Sequence, residues 1–205
     1  MWEIIQKGGP LMYLILLCSI VSFTVIIERF ITLNRIKIDV SAFMANILDA
    51  VRRNRIMGAI ETCDRTPSPV ASIIKAGLLK QSASRQEIKE AMEETALIEV
   101  PKLEKNLNIL ATLAHVTPLI GLLGTVTGMI QAFQVIEAKA GALNPVSPGD
   151  LAGGIWEALS TTAGGLLVAI PTLVAYNFLV TKVDGFVINM ERAATELVQV
   201  VKGER

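Results

Sequence analysis

Gly153–Asn177 reads GGIWEALSTTAGGLLVAIPTLVAYN, an apolar run that holds one carboxylate, Glu157, among small and hydroxyl side chains. No residue from Ala158 to Thr181 carries a formal charge. At about 1.5 Å of rise per residue, a helix of that length crosses a bilayer core of roughly 30 Å. Glu157 therefore falls inside the membrane or at its lip. An unpaired ionisable group there costs on the order of a few kcal/mol, so such a residue is read first as functional. The structural alternative is a glutamate near a helix end that reaches the headgroups. Glu157, Thr161, Gly164 and Val168 are spaced three or four apart and share one helical face. No Lys, Arg, Asp or second Glu occurs inside any apolar run, so the counterpart of Glu157 is expected to be water or another polypeptide.

Around this stretch, Gly153, Gly154, Ala158, Gly164, Gly165 and Ala169 give the helix narrow flanks, a sign of close packing in lipid. The predicted third span covers 151–181. Before it, EAKAGALNPVSPGD at 137–150 combines Gly, Asn, Pro and Ser into a short loop, with Asp150 placed to cap the third helix or to charge its mouth. Further back, 105–136 forms a second span around PLIGLLGTVTGMIQAF (Pro118–Phe133), in which Gly121, Gly124, Thr125 and Gly128 make a small-residue stripe. Thr125 and Thr127 are its polar groups at mid-depth. A threonine hydroxyl in a membrane helix commonly bonds the carbonyl one turn back, and that is the plain reading of each alone. His115, the only histidine, lies near the end of the span closest to the charged segment; a pH switch is one reading of it, and a hydrogen-bonded packing residue is the plainer one.

The first apolar block spans Gly8–Ile27 without a charge, and Glu28, Arg29 and Phe30 follow where a cleavage site would need small residues. We read 8–31 as a retained transmembrane helix, with Pro10 tolerated in its first turn. Residues 32–104 hold most of the basic side chains, so the positive-inside rule predicts that this segment is cytoplasmic. That orientation puts the N-terminus and the 137–150 loop on the periplasmic side and the C-terminus inside.

Within the charged segment the pattern is helical. Ala45, Leu48 and Val51 form one expected face, and Val70, Ile73, Ile74, Gly77 and Leu78 a second. Ser84 and Glu87 have capping-box spacing, followed by Ile88, Ala91, Met92 and Thr95 on one side. Continued helix from Arg85 to Ile136, kinked at Pro101 and Pro118, would make a single rod of roughly 75 to 80 Å. At the C-terminus, 182–205 reads as an amphipathic helix carrying Val183, Phe186, Val187, Met190, Ala194, Leu197 and Val201. That stripe could bundle copies of the chain or pack on its own cytoplasmic helices.

The composition agrees. Of 205 residues, 52% are hydrophobic, and these fall in long blocks rather than short periodic ones. Formal net charge is zero, so nothing points to nucleic acid. Cys18 and Cys63 lie in unlike surroundings, with neither disulfide nor metal spacing. No cofactor fingerprint occurs. Ser160 and His115 sit on different spans near opposite sides, so an intramembrane enzyme is not expected. The fold class is an all-α integral membrane protein with three transmembrane helices, two of them extended into a cytoplasmic helical region.

PLIGLLGTVTGMIQAF together with GGIWEALSTTAGGLLVAIPTLVAYN resembles the membrane core of the ExbB/TolQ/MotA proton-channel family, most closely its ExbB and TolQ branches. The resemblance covers nearly the whole chain, although MotA members carry four spans and only three are read here. It implies that Thr125, Glu157 and Thr162 line an ion path. Helical spacing instead favours Thr161 as companion of Glu157, since five residues turn Thr162 about 140° away. Gly121, Gly124, Gly128, Gly164 and Gly165 are the expected pore-packing positions. Also implied are a homopentamer in the bacterial inner membrane, a single-span ExbD- or TolR-like partner inside the ring, and a TonB- or TolA-like protein on which work is done. Two alternatives stay open: a non-conducting membrane scaffold and a sodium-driven member of the family.

Overall fold

The computed structural model describes residues 8–141 and 147–203, and among them every regular element is helical. In chain order these are α1 (Gly9–Arg35), α2 (Val40–Arg52), α3 (Ile56–Arg65), α4 (Pro69–Leu79), α5 (Arg85–Glu104), α6 (Leu107–Gly141) and α7 (Pro148–Val201). Three of them, α1, α6 and α7, are long and apolar enough to cross a membrane. Only 22%, 28% and 22% of their most apolar windows are buried within the chain. Most of that surface needs an apolar surrounding that the chain does not itself provide.

The described residues divide into two compact units, one made of 8–28 with 106–141 and 147–178 and the other of 29–105 with 179–203. In the first, α6 and α7 run antiparallel and meet through glycine. A Cβ added at Gly128 would lie 2.6 Å from the Gly154 carbonyl oxygen, and one at Gly165 would lie 2.9 Å from that of Thr117. Gly121 approaches the backbone of Thr161 and Thr162 in the same way. Backbone-to-backbone approach of this kind lets dispersion forces hold two helices in lipid, where no hydrophobic force draws them together. Gly164 faces the opposite way, toward Met12 and Ile15 of α1.

The second unit is built around α4, whose residues Val70, Ala71, Ile73, Ile74, Gly77 and Leu78 are all buried. The Gly77 position is bounded by Met92 of α5 and Leu197 of α7. The amphipathic end of α7 thus packs on helices of its own chain, burying Val183, Phe186, Met190, Ala193, Leu197 and Val198. Lys202 Nζ donates to the carbonyls of Gln81 and Ala83, tying down the turn before α5. That turn ends in the expected capping box: Ser84 accepts from the Glu87 N–H, and the Glu87 carboxylate accepts from the Ser84 N–H.

Three local expectations need correction. The single rod from Arg85 to Ile136 is not formed: α5 stops at Glu104, and Asn106 adopts φ 63° before α6 begins. Pro101 has already removed one ladder hydrogen bond, and asparagine is among the few residues that accept a left-handed backbone. In α2 the buried face is Phe43, Met44, Ile47 and Leu48, not the stripe through Ala45 and Val51. The larger side chains win the interior because they bury more apolar area per residue. The loop drawn over 137–150 is shorter, since α6 reaches Gly141 and α7 begins at Pro148. Residues 1–7 and 142–146 and the Asp150 side chain lie outside the described residues, so the capping role expected of Asp150 and the N-terminal flank are among them.

Candidate functional site

Glu157 sits in the third turn of α7, where Gly153 and Gly154 precede it and Thr161 and Thr162 follow. Its side chain is partly exposed and lines an open groove of ≈ 620 Å³ with Gln131, Ala132, Val135, Ala152, Gly153, Gly154 and Trp156. The groove opens because Ala152, Gly153 and Gly154 provide almost no side-chain volume opposite the end of α6. Gln131 and Glu157 are its only side chains with strong hydrogen-bonding groups apart from the indole of Trp156.

On another side, the Glu157 carboxylate lies against Gly9, the first residue of α1. Gly9 has φ 64°, and a Cβ there would overlap Glu157 Oε1. Glycine suits that position by its left-handed backbone, and a Cβ there would push the Glu157 carboxylate aside. The positive end of the α1 dipole thus lies beside the carboxylate. Among the described residues, no side chain forms an ion pair or hydrogen bond with the Glu157 carboxylate.

The hydroxyls have separate duties. Thr161 is 0% exposed, packed against Gly124, and its Oγ1 donates to its own helix at Glu157 O (3.0 Å) and Ala158 O (2.9 Å). Thr162 Oγ1 crosses to the neighbouring span and donates to Gly121 O at 2.9 Å. Thr125 Oγ1 donates to Leu122 O at 2.6 Å, and Thr127 bonds back to Leu123 and Gly124. Both therefore follow the plain reading of a helix threonine. Each hydroxyl, with its proton committed to a carbonyl, keeps oxygen lone pairs that can accept from water or a hydrated ion. The structure brings Thr161 beside Gly124 and Thr162 beside Gly121; no hydrogen bond among the described residues joins Thr125 to Glu157.

The five glycines named from the sequence divide by function. Gly121, Gly124, Gly128 and Gly165 lie where α6 meets α7, whereas Gly164 lies under α1. Gly9, Gln131 and Trp156 were missed by the sequence reading. The pair Gly8–Gly9 before Pro10 was the available signal, since a glycine at a helix entry marks a backbone that other residues resist. His115 is exposed, with Nδ1 2.6 Å from Ala111 O. Among the described residues no three His, Cys, Asp or Glu side chains gather as a metal site.

A lone carboxylate on an apolar helix, open to a groove and surrounded by tightly packed glycine and threonine, defines a multi-pass membrane protein with an ionisable centre in its spans. Residues 65–192 match the MotA/TolQ/ExbB proton channel family, which covers more than half of the chain and both core motifs. The chain belongs to that family. It is 28% identical over 183 residues to a biopolymer transport ExbB homologue of Methanothermobacter thermautotrophicus, covering 89% of this chain and 63% of that protein. It is 29% identical over 193 residues to the Tol-Pal system protein TolQ of Pseudomonas aeruginosa, covering 86% of this chain and 81% of that protein. Over 113 residues it is 40% identical to the biopolymer transport protein ExbB of Xanthomonas campestris, covering 55% of this chain and 43% of that one.

Proposed function

We propose that this chain is the ring-forming subunit of a proton-driven motor in the bacterial inner membrane, of the ExbB/TolQ kind. Copies of the chain, five by resemblance, surround the span of an ExbD- or TolR-like partner. Proton flow through the assembly does work on a TonB- or TolA-type protein, serving outer-membrane transport or envelope maintenance. The observation that carries this reading is the Glu157 carboxylate, set in an apolar helix at an open groove with no ion-pair partner among the described residues. The basic segment 32–104 supports a cytoplasmic placement of the charged unit, with the N-terminus periplasmic.

In this reading Glu157 takes a proton from water in the groove and, once neutral, can face an apolar wall that excludes its charged form. The partner's acidic group receives the proton, and the charge restored on Glu157 returns it to a wet surrounding. Each transfer driven by 100 mV releases about 2.3 kcal/mol, enough to bias one step of the ring about its central helices. Thr161 and Thr162 hold the register of α7, and Thr125 lies on the facing span, where its oxygen can accept from a hydrated ion.

The test is proton flux into vesicles carrying the chain with its partner under an imposed potential. Glu157→Gln is expected to abolish flux while the complex still assembles. Full flux in that variant would refute the reading. Flux that follows sodium instead would assign the same site to the other ion, and no flux in the unaltered complex would leave a scaffold.

A further inference from the structure

At the end of α1 the chain gathers cations without matching anions. Lys182 Nζ of α7 donates to Asn34 Oδ1 and stands 5.1 Å from the centroid of the Phe30 ring. The backbone then turns back, with the Lys37 N–H bonded to Asn34 O at 3.4 Å, so Asn34 is held by Lys37 on one side and Lys182 on the other. Arg35 is the last residue of α1. Among the described residues none of these three cations belongs to an ion pair. The carboxylates nearest in sequence do not neutralise them: Asp39 caps α2 by accepting from the Ala42 N–H, and Asp184 forms no ion pair.

The negative end of the α1 dipole amounts to roughly half a charge and offsets at most half of one of these three cations. At least two remain in surplus. The proximity of Lys37 adds to desolvation in holding the Lys182 ammonium below its ordinary value, an independent sign that the two charges feel each other. The level of the cluster along the spans identifies the ligand. Here α1 passes from Phe30 and Ile31, each about half exposed, to Asn34 and Arg35, and α7 passes from Val180 to Lys182. An exposed apolar surface thus leads directly to the Lys182 ammonium, the Asn34 amide and the exposed Lys37 side chain, which suits a phosphodiester with acyl chains attached.

We propose that Lys37 and Lys182, with Asn34 between them, bind the phosphodiester headgroup of an anionic phospholipid, whose acyl chains lie on Phe30 and Ile31. Arg35 adds longer-range attraction at the same boundary. The site serves to fix the depth and rotation of α1 against α7 at the headgroup layer, and it does not depend on the proposed proton flow.

The experiment is lipid retention by the purified full chain, measured by native mass spectrometry after exchange into micelles containing phosphatidylglycerol and phosphatidylcholine in equal amount. The unaltered chain is expected to retain phosphatidylglycerol in preference. A neutral side chain is expected to reduce that preference about five-fold per lysine, and about 25-fold in Lys37→Gln with Lys182→Gln. Lys37→Arg with Lys182→Arg should restore it, and Lys89→Gln, elsewhere on the charged unit, should leave it unchanged. Equal retention of both lipids by the unaltered chain would overturn the proposal, as would undiminished preference in the double glutamine variant. Displacement of the lipid by inorganic phosphate at millimolar concentration would overturn the lipid assignment, because it would mean that the acyl chains contribute nothing.

Discussion

Replacing Gly128 with alanine tests the packing that holds the candidate site together. The new methyl group would sit 2.6 Å from Gly154 O, 2.9 Å from Ala158 N and 3.0 Å from Ala158 Cβ. Two of those three atoms are backbone and cannot rotate aside. Raising the shortest distance to an ordinary contact of 3.4 Å requires the helices to part by about 0.8 Å. Overpacking of this kind costs about 1–3 kcal/mol. A parallel separation would also stretch the Thr162–Gly121 hydrogen bond from 2.9 Å beyond the range where it holds, adding about 0.6 kcal/mol. Set against the roughly 1 kcal/mol that alanine gains over glycine in helix propensity, the expected net loss is about 0.6–2.6 kcal/mol. Gly153→Ala is the control, since a Cβ there meets nothing within 4 Å, and it should stay within about 1 kcal/mol of the unaltered chain through helix propensity alone. Reversible unfolding in mixed micelles, followed by circular dichroism, gives both values. If Gly128→Ala matches Gly153→Ala, the close approach of α6 and α7 is wrong.

Leu197, 0% exposed, fills the space beside Gly77, so Leu197→Ala should lower the stability of the charged unit by about 2–5 kcal/mol, read as earlier proteolytic cutting between α4 and α5. Ser84→Ala removes the α5 cap and should cost about 1 kcal/mol in the same assay. The Glu87 carboxylate is held below its ordinary value of 4.5, chiefly by its hydrogen bonds with Ser84. Its contribution is therefore present above that value and lost as pH falls through the lowered one, so the penalty of Ser84→Ala should shrink in acid. Burial pushes the Cys63 thiol up to about 11, with Asp64 adding to the effect. Iodoacetamide at pH 8 should therefore alkylate Cys63 about a hundredfold more slowly than in the unfolded chain. Equal rates would show that Cys63 is not buried.

Much of the architecture was legible in one dimension. Three uninterrupted apolar runs can only be helices in lipid, because every backbone polar group must be satisfied within the segment. The α4 face from Val70 to Leu78 and the Ser84–Glu87 cap were readable for a related reason: both depend on residues within a turn or two of each other. Where reading failed, the deciding partner was distant. The break at Asn106 competes with a strong helical pattern on both sides, and Ala45 lost its expected place to larger neighbours.

The candidate site divides along the same line. Sequence alone picked out Glu157, since an acid in an apolar run stands out by composition, and it picked out the glycine stripes that imply close helices. It could not choose between Thr161 and Thr162. Folding separates them: Thr161 turns its hydroxyl to its own carbonyls under Gly124, while Thr162 bonds across to Gly121. Gly9 became part of the site only when α1 was laid beside α7 and its first residue met the Glu157 carboxylate. Charge and hydropathy belong to each residue wherever it stands, so the chain displays them directly; contacts between residues about 150 positions apart belong to the packing of helices and exist only once that packing is made.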